Sequence, residues 1–82
     1  MNSHVAHNRI MVDKDILRGK PIVRGTRISV EFILELLGSD MSVEEIIDQY
    51  PKLVREDILA AIEYARGRVE AEKVFDWQPA GV

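Results

Sequence analysis

The chain has 82 residues, of which 46% are apolar and 30% charged, with a net charge of −3 and no cysteine. Such a composition is typical of one small globular domain, which buries only about 60% of its unfolded surface, so association with another chain would add stability. The lack of cysteine excludes disulfides and thiolate metal sites. No apolar stretch is long enough to cross a bilayer and the N-terminus lacks the features of a secretory signal, so we expect a cytoplasmic protein.

Charge is distributed unevenly along the chain. Between Arg9 and Arg27 there are six basic and two acidic residues, a net charge of +4. From Ile28 to Glu63 there are two basic and nine acidic residues, a net charge of −7. A basic N-terminal third on an acidic body suits a partner of mixed charge, or a nucleic acid bound through the basic end alone.

The N-terminal part of the chain predicts a disordered segment followed by a small ribbon. Residues 1–8 are polar and aperiodic, so we expect His4 and His7 to lie in a frayed terminus and not to bind metal. The apolar run 10–12 predicts a strand that pairs with residues 22–23. A two-stranded ribbon is only marginally stable alone, so we expect it to pack on helices or on a second subunit.

Residues 19–30 predict a strand, a turn and the start of a helix. Gly25 supplies the positive φ of a tight reversal, and Pro21 is tolerated at the beginning of a strand. Taken singly, each basic side chain on this part of the chain is compatible with a solvated surface charge. Together they are the candidate contacts to DNA phosphates: Lys14, Arg18, Lys20, Arg24 and Arg27.

The next segment predicts an amphipathic helix with Ser29 as its N-cap. Its apolar residues follow the i, i+3, i+4, i+7 rule at Val30, Ile33, Leu34 and Leu37. Phe32 and Leu36 widen the apolar stripe beyond one face, so this helix is expected to be central or to mediate dimerisation. Gly38 is expected to end the helix in the left-handed conformation.

Two further helices are predicted after this one. Ser42 and Glu45 have the spacing of a capping box, and Pro51 ends the second helix after about two turns. A short turn leads to the longest helix, residues 55–73, which completes a helix-turn-helix arrangement. Val54 precedes this helix without a capping side chain, a loss on the order of 1 kcal/mol.

The faces of the last helix follow from 100° per residue. The stripe expected to face inward is Ile58, Ile62, Ala65 and Val69. Glu56 and Glu63 make the opposite face a poor surface for DNA, with only Arg66 and Arg68 at its flanks. That face also carries small and aromatic residues: Ala60, Tyr64 and Gly67. Such residues are typical of a shallow contact with another protein, although surface variation explains them equally well.

The C-terminal tail, residues 74–82, contains Pro79 and cannot continue the helix. Phe75 and Trp77 are too apolar for a solvated segment. They either fold back on the chain's own core or bind a partner, since tryptophan is enriched at interface hot spots. For Val74 we favour packing on the core.

Three motifs carry a family resemblance. They are G-K-P-x-x-R-G-T-R-I-x-V from Gly19, S-x-E-E-I from Ser42 and Y-P-x-L-x-x-E-D-I from Tyr50. In this order they resemble the small prokaryotic family called domain of unknown function 433, over Gly19 to Tyr64. The sequence departs from that pattern at Asp40, where the family has a glycine, and at Val54, where it has a hydroxyl cap.

The resemblance implies a homeodomain-like helix-turn-helix core and an antitoxin role, with a PIN-like ribonuclease as partner. We therefore predict a mainly α fold, in which a three-helix homeodomain-like helix-turn-helix core is preceded by a short N-terminal β-ribbon. Residues 9–73 form this single domain. Residues 1–8 are the disordered N-terminus and residues 74–82 the apolar tail.

Catalysis is not expected, because the chain has no cysteine, no internal histidine and no clustered ligands for a metal or cofactor. The main hypothesis is an antitoxin-like protein that neutralises the ribonuclease, with repression of its own operon as an accompanying role. The alternatives are a helix-turn-helix DNA-binding regulator without a toxin partner, and a module that only dimerises. A homodimer is expected in each case. The expected partner contacts are Ala60, Tyr64, Arg66, Gly67, Arg68, Phe75 and Trp77.

Overall fold

The computed structural model describes residues 8–72. The predicted architecture, a short antiparallel ribbon followed by three helices, is confirmed, and a single left-handed turn at Leu17–Gly19 separates the strands. No helix within residues 8–72 has the length and apolar character needed to cross a membrane. The elements are β1 (Ile10–Val12), β2 (Pro21–Val23), α1 (Val30–Gly38), α2 (Val43–Gln49) and α3 (Arg55–Glu72).

Several predictions concern residues outside the described range. They are the N-terminal histidines His4 and His7, the end of the last helix at Lys73, and the tail with Val74, Phe75 and Trp77. Of the N-terminal segment only Asn8 is described, and its backbone oxygen accepts a hydrogen bond from Arg24 Nε at 2.7 Å.

The ribbon pairs as predicted, and its register places Ile10 opposite Val23 and Met11 opposite Ile22. Ile10, Ile22 and Val23 are buried. β1 contacts α3, and β2 contacts α1. The ribbon is therefore stabilised by the helices of its own chain, as a two-stranded sheet of this length requires.

The turn after β2 is closed by a threonine. Gly25 has a φ of 83°, as a tight reversal requires. Thr26 Oγ1 donates to the backbone oxygen of Val23 at 2.8 Å and accepts from the N–H of Ile28 at 2.9 Å. This double contact sets the direction in which the chain enters α1.

α1 lies at the centre of the molecule. Ser29 Oγ accepts from the N–H of Phe32 at 2.9 Å, which confirms the predicted N-cap. The Phe32 ring meets the Tyr50 ring edge to face, with centroids 5.5 Å apart. The outer apolar residues of α1 also pack on the core: Leu34, Leu36 and Leu37. The broad apolar surface of this helix is therefore largely used in contacts within the chain.

The end of α1 differs from the sequence prediction. Gly38 belongs to the helix, and the left-handed residue is Asp40, with a φ of 74°. The N–H of Met41 donates to the oxygen of Leu36 at 3.2 Å, and the N–H of Asp40 to that of Leu37 at 3.0 Å. These two bonds form a Schellman motif whose left-handed position falls two residues after Gly38.

α2 begins with the predicted capping box. The N–H of Glu45 donates to Ser42 Oγ at 3.0 Å, and the N–H of Ser42 donates to Glu45 Oε1 at 2.8 Å. The helix ends at Gln49, just before Pro51, as proline geometry predicts. Ile46 is fully buried and fixes α2 on the core.

The inward face of α3 was predicted wrongly in part. Ile58 is buried as expected, but Ile62 and Val69 are exposed, while Ala60 and Ala61 are buried. Two buried alanines allow α3 to pack closely on the core, which larger side chains would prevent. The helix is thus rotated so that its small residues, and not its largest ones, face the core.

The hydrophobic core lies where the ribbon and all three helices meet. Within residues 8–72 no buried side-chain nitrogen or oxygen lacks a hydrogen-bond partner. The core consists of Ile10, Val23, Val30, Ile33, Ile46, Leu53, Ile58, Ala60 and Ala61.

Candidate functional site

Three of the five predicted DNA contacts surround one surface concavity of about 520 Å³, which we call the basic concavity. It lies between the Leu17–Gly19 turn and the first turn of α1. Basic side chains line its sides, while Ile28 and Phe32 supply apolar surface. Its lining residues are Leu17, Arg18, Lys20, Arg27, Ile28, Ser29 and Phe32.

An unusual backbone conformation builds one side of the basic concavity. Leu17, Arg18 and Gly19 have φ values of 49°, 58° and 81°. The left-handed conformation costs roughly 1–2 kcal/mol for a residue with a side chain, and it persists only where its surroundings enforce it. Nothing in the sequence marks Leu17 for this conformation, so the convergence of Arg18 with Arg27 was not predictable.

The cations of the basic concavity are not equivalent. Lys20 Nζ donates to Glu31 Oε1 at 2.8 Å. This hydrogen bond lowers the pKa of Glu31 and so favours its ionised carboxylate. The negative charge of that carboxylate partly neutralises the positive charge of Lys20. Arg18 and Arg27 are exposed, and neither has an ion-pair partner among residues 8–71. The concavity therefore offers two available guanidinium groups to an anion.

The other two predicted DNA contacts lie apart from the basic concavity. Lys14 is exposed on the connection between the strands. Arg24 faces a second concavity of about 430 Å³, lined by Asn8, Arg9, Arg24 and Asp57. The structure thus separates Lys14 and Arg24 from the three basic residues that it brings together.

Asp57 was missed as an important residue by the sequence analysis. It is buried, and its two oxygens have different partners: Oδ1 accepts from Arg9 Nη1 at 2.9 Å, and Oδ2 from the N–H of Val54 at 3.0 Å. The second bond ties the N–H of Val54, the residue before α3, to the first turn of the helix; the other half of a capping box, a side-chain acceptor at position 54, is absent because Val54 has none. The position of an acid three residues after Val54 was the available signal, because it matches the acidic half of a capping box.

The predicted partner residues of α3 have different surroundings. Ala60 is 2% exposed, so its assignment to an accessible partner face was wrong. The reason is the rotation of α3, which directs its alanines at the core. Tyr64 is half-buried against the core, and Gly67 is exposed.

Arg66 is held by two glutamates of its own helix. Its Nε lies 3.1 Å from Glu63 Oε2, and its Nη1 lies 3.3 Å from Glu70 Oε1. The hydrogen bond from Arg66 lowers the pKa of Glu63, and the same contact raises the pKa of Arg66. Because all three side chains are well exposed to solvent, these pairs stabilise the fold little.

Arg68 lies at the edge of an apolar groove of about 280 Å³ between α1 and α3, which we call the α1–α3 groove. Arg68 has no ion-pair partner among residues 8–71, in contrast to Arg66. An arginine guanidinium next to apolar surface is common at the centre of protein–protein interfaces. The groove is lined by Pro21, Val30, Glu31, Leu34, Tyr64, Ala65, Arg68 and Val69.

In the described part of the chain, no group of three His, Cys, Asp or Glu side chains is placed to hold a metal ion.

Comparison with known proteins places the chain in a family. The family described as "Protein of unknown function (DUF433)" matches residues 10–65. Uncharacterized protein y4eO of Sinorhizobium fredii (strain NBRC 101917 / NGR234) is 39% identical over 72 residues, which cover 82% of this chain but only 31% of the relative.

A solved structure has the same fold. The crystal structure of a DUF433 member protein from Anabaena variabilis ATCC 29413 superposes with a TM-score of 0.73 at 26% identity. The superposition covers 83% of this chain and 67% of that protein. Because the family match spans more than half of the sequence and the fold agrees, this chain belongs to the DUF433 family.

Proposed function

We propose that the chain is an antitoxin-like binding protein, not an enzyme, that neutralises a PIN-like ribonuclease in the cytoplasm. The observation that supports this most directly is the position of Arg68 beside the α1–α3 groove. A PIN-like nuclease gathers carboxylates around a divalent metal. A guanidinium paired with such carboxylates, next to a covered apolar surface, would block the approach of RNA.

Arg68 is better suited to this role than Arg66. To reach a partner, Arg66 would have to exchange two existing contacts, with Glu63 and Glu70. Among residues 8–71 no carboxylate pairs with Arg68, so its pairing with a nuclease carboxylate does not require the exchange of Glu63 or Glu70. The groove beside it offers apolar surface to the same partner.

The test takes the product of the gene adjacent to the one for this chain and measures whether the chain inhibits its cleavage of RNA. Arg68→Glu places a carboxylate against the acidic pocket and is expected to weaken inhibition about tenfold or more. Lys52→Glu is the matched control, because it makes the same charge change at an exposed position in the turn before α3. Equal inhibition by both variants, or no inhibition by the unmodified chain, would refute the proposal.

The second candidate function is DNA binding, either as a regulator without a toxin or as repression of the chain's own operon. It is favoured by the left-handed conformation of Leu17 and Arg18, which places Arg18 beside Arg27 at the basic concavity. Backbone strain of this kind is found disproportionately at functional sites. On this hypothesis the DNA phosphates contact the ribbon end of the molecule and not the acidic outer face of α3.

A further inference from the structure

Three large apolar side chains are exposed on α3 along a single line. Leu59, Ile62 and Val69 are 48%, 40% and 62% exposed. Together with Arg66 they are spaced by three, four and three residues, which is the spacing of one face of a coiled-coil helix. We call these four residues the outer stripe. At 1.5 Å per residue the stripe is about 15 Å long.

The outer stripe is centred away from the face that holds α3 on its own chain. Asp57, Ala60 and Ala61 are buried, and at 100° per residue the centre of their face lies well over 90° from the centre of the stripe. Ile58, also buried, lies between the two faces, next to Ile62 and Val69. A helix that packs on one core needs one apolar face. α3 therefore has additional apolar surface beside its packing face, and Leu59, Ile62 and Val69 leave 40–62% of it exposed in the described structure.

A row of acids borders the stripe. Glu56, Glu63 and Glu70 recur at intervals of seven residues, so all three lie along the same edge. Arg66, which lies within the stripe, forms ion pairs with Glu63 and Glu70. Its single positive charge leaves the net charge of the three glutamates and the arginine negative. The edge therefore favours a partner that carries positive charge beside its apolar residues.

We propose that the outer stripe is the docking site of an amphipathic helix from a partner protein, whose lysines or arginines lie along the glutamate row. The apolar side chains of that helix cover Leu59, Ile62 and Val69. The inference rests on the proposed function only in that the nuclease would supply the helix. Binding at the stripe can be measured without the nuclease.

A second copy of the chain fits this site poorly. A two-fold axis perpendicular to α3 would pack two antiparallel outer stripes together and bring the same edge of each helix to the same side. Glu63 and Glu70 would then face the glutamates of the other copy. Like charges opposed in this way destabilise a helix pair, so a basic partner helix is favoured over self-association.

The experiment compares two synthetic amphipathic peptides of about five helical turns, with the same leucine face but flanked by lysine in one and by glutamate in the other. Each is titrated into the full isotope-labelled chain and followed by amide NMR shifts. We expect the lysine-flanked peptide to shift amides from Leu59 to Glu70 and to bind roughly fivefold more tightly than its twin.

Glu63→Gln combined with Glu70→Gln should remove this preference, because both substitutions delete charge from the acidic edge. Glu35→Gln combined with Asp48→Asn is the control, since it makes the same charge change at exposed positions outside α3. Retention of the preference in the Glu63 and Glu70 variant, or shifts elsewhere on the molecule, would overturn the proposal.

Self-association is distinguished by sedimentation. Val69→Ser and Leu59→Ser should leave the mass of the free chain unchanged; a fall from dimer to monomer would overturn the proposal and assign the stripe to a second copy. The result is independent of nuclease inhibition. Peptide binding at the stripe with no inhibition would refute the proposed function and leave the docking site intact.

Discussion

Arg9 and Asp57 connect the beginning of the ribbon to the first turn of α3. Arg9 Nη1 donates to Asp57 Oδ1 at 2.9 Å across 48 positions of sequence. The other carboxylate oxygen accepts from the N–H of Val54. Asp57 is 7% exposed, whereas the side chain of Arg9 is 37% exposed, so the carboxylate loses more solvent than its partner. One buried side chain thus both bonds the residue before α3 and fixes the helix against β1.

Asp57→Ala is therefore expected to lower the free energy of unfolding by about 2–3 kcal/mol, through loss of the bond from Val54 and of the charged hydrogen bond from Arg9. Asp57→Asn should cost less, because its amide oxygen can still accept from the N–H of Val54. Urea unfolding measures both. Glu56→Ala, at an exposed neighbouring position, is the control, and an Asp57→Ala effect no larger than that of Glu56→Ala would contradict the assignment.

Asp40→Gly is expected to stabilise the protein. Asp40 occupies the left-handed position of the Schellman motif at a φ of 74°, which glycine adopts without strain. The gain should be about 0.5–1 kcal/mol, because relief of strain is partly offset by the greater freedom of glycine in the unfolded chain. Thermal unfolding provides the measurement. Asp40→Ala should destabilise, and a stabilising Asp40→Ala would show that φ is not the determining factor.

The features that could be predicted from sequence are those set by neighbouring residues. The N-cap at Ser29 and the box formed by Ser42 and Glu45 depend on side chains that reach the backbone within three residues. The left-handed conformation after α1 was assigned to Gly38 because glycine adopts a positive φ without strain. The hydrogen bonds of the Schellman motif, however, decide which residue takes this conformation. Those bonds fall at Asp40.

Features that depend on distant contacts could not be predicted. α3 has two apolar stripes, and its rotation is determined by the contact of Asp57 with Arg9 and by the close packing of Ala60 and Ala61. Likewise, the basic residues could be identified from the sequence, but their grouping in space could not. The left-handed turn at Leu17 sets the position of Arg18 at the concavity that Arg27 also lines, whereas Arg24 bonds the Asn8 oxygen and faces the second concavity.

If the chain binds DNA, the basic concavity should dominate the salt dependence. Arg18→Ala combined with Arg27→Ala is expected to reduce the slope of log affinity against log salt by about 2, one per lost phosphate contact. Arg24→Ala should change affinity less, because Arg24 Nε is bonded to the Asn8 oxygen. A gel-shift titration over several salt concentrations tests this. Loss of binding in Arg68→Ala, with the concavity variant unaffected, would refute the assignment.

The chain is expected to be a homodimer in solution. α1 packs most of its apolar surface within the chain, so it offers little surface for a dimer. The ribbon is the better candidate for the dimer contact, because β1 is a sheet edge and carries the exposed Val12. Val12→Lys should weaken a dimer formed through this edge, whereas Val54→Lys, at another exposed valine, should not. Light scattering at micromolar concentration distinguishes the outcomes, and a monomeric unmodified chain would refute the expectation.

Deletion of residues 74–82 is expected to abolish nuclease inhibition while the helical core stays folded. The core should survive because the buried apolar residues of the described chain all lie between Ile10 and Ala61. Inhibition should be lost because Phe75 and Trp77, which lie outside the described residues, follow Arg68 closely and supply aromatic anchors beside it. Circular dichroism and RNA cleavage measure the two effects, with Phe75→Ala combined with Trp77→Ala as a full-length control. Co-purification of the truncated chain with the nuclease, together with retained inhibition, would show that the nuclease is bound by the helical core alone.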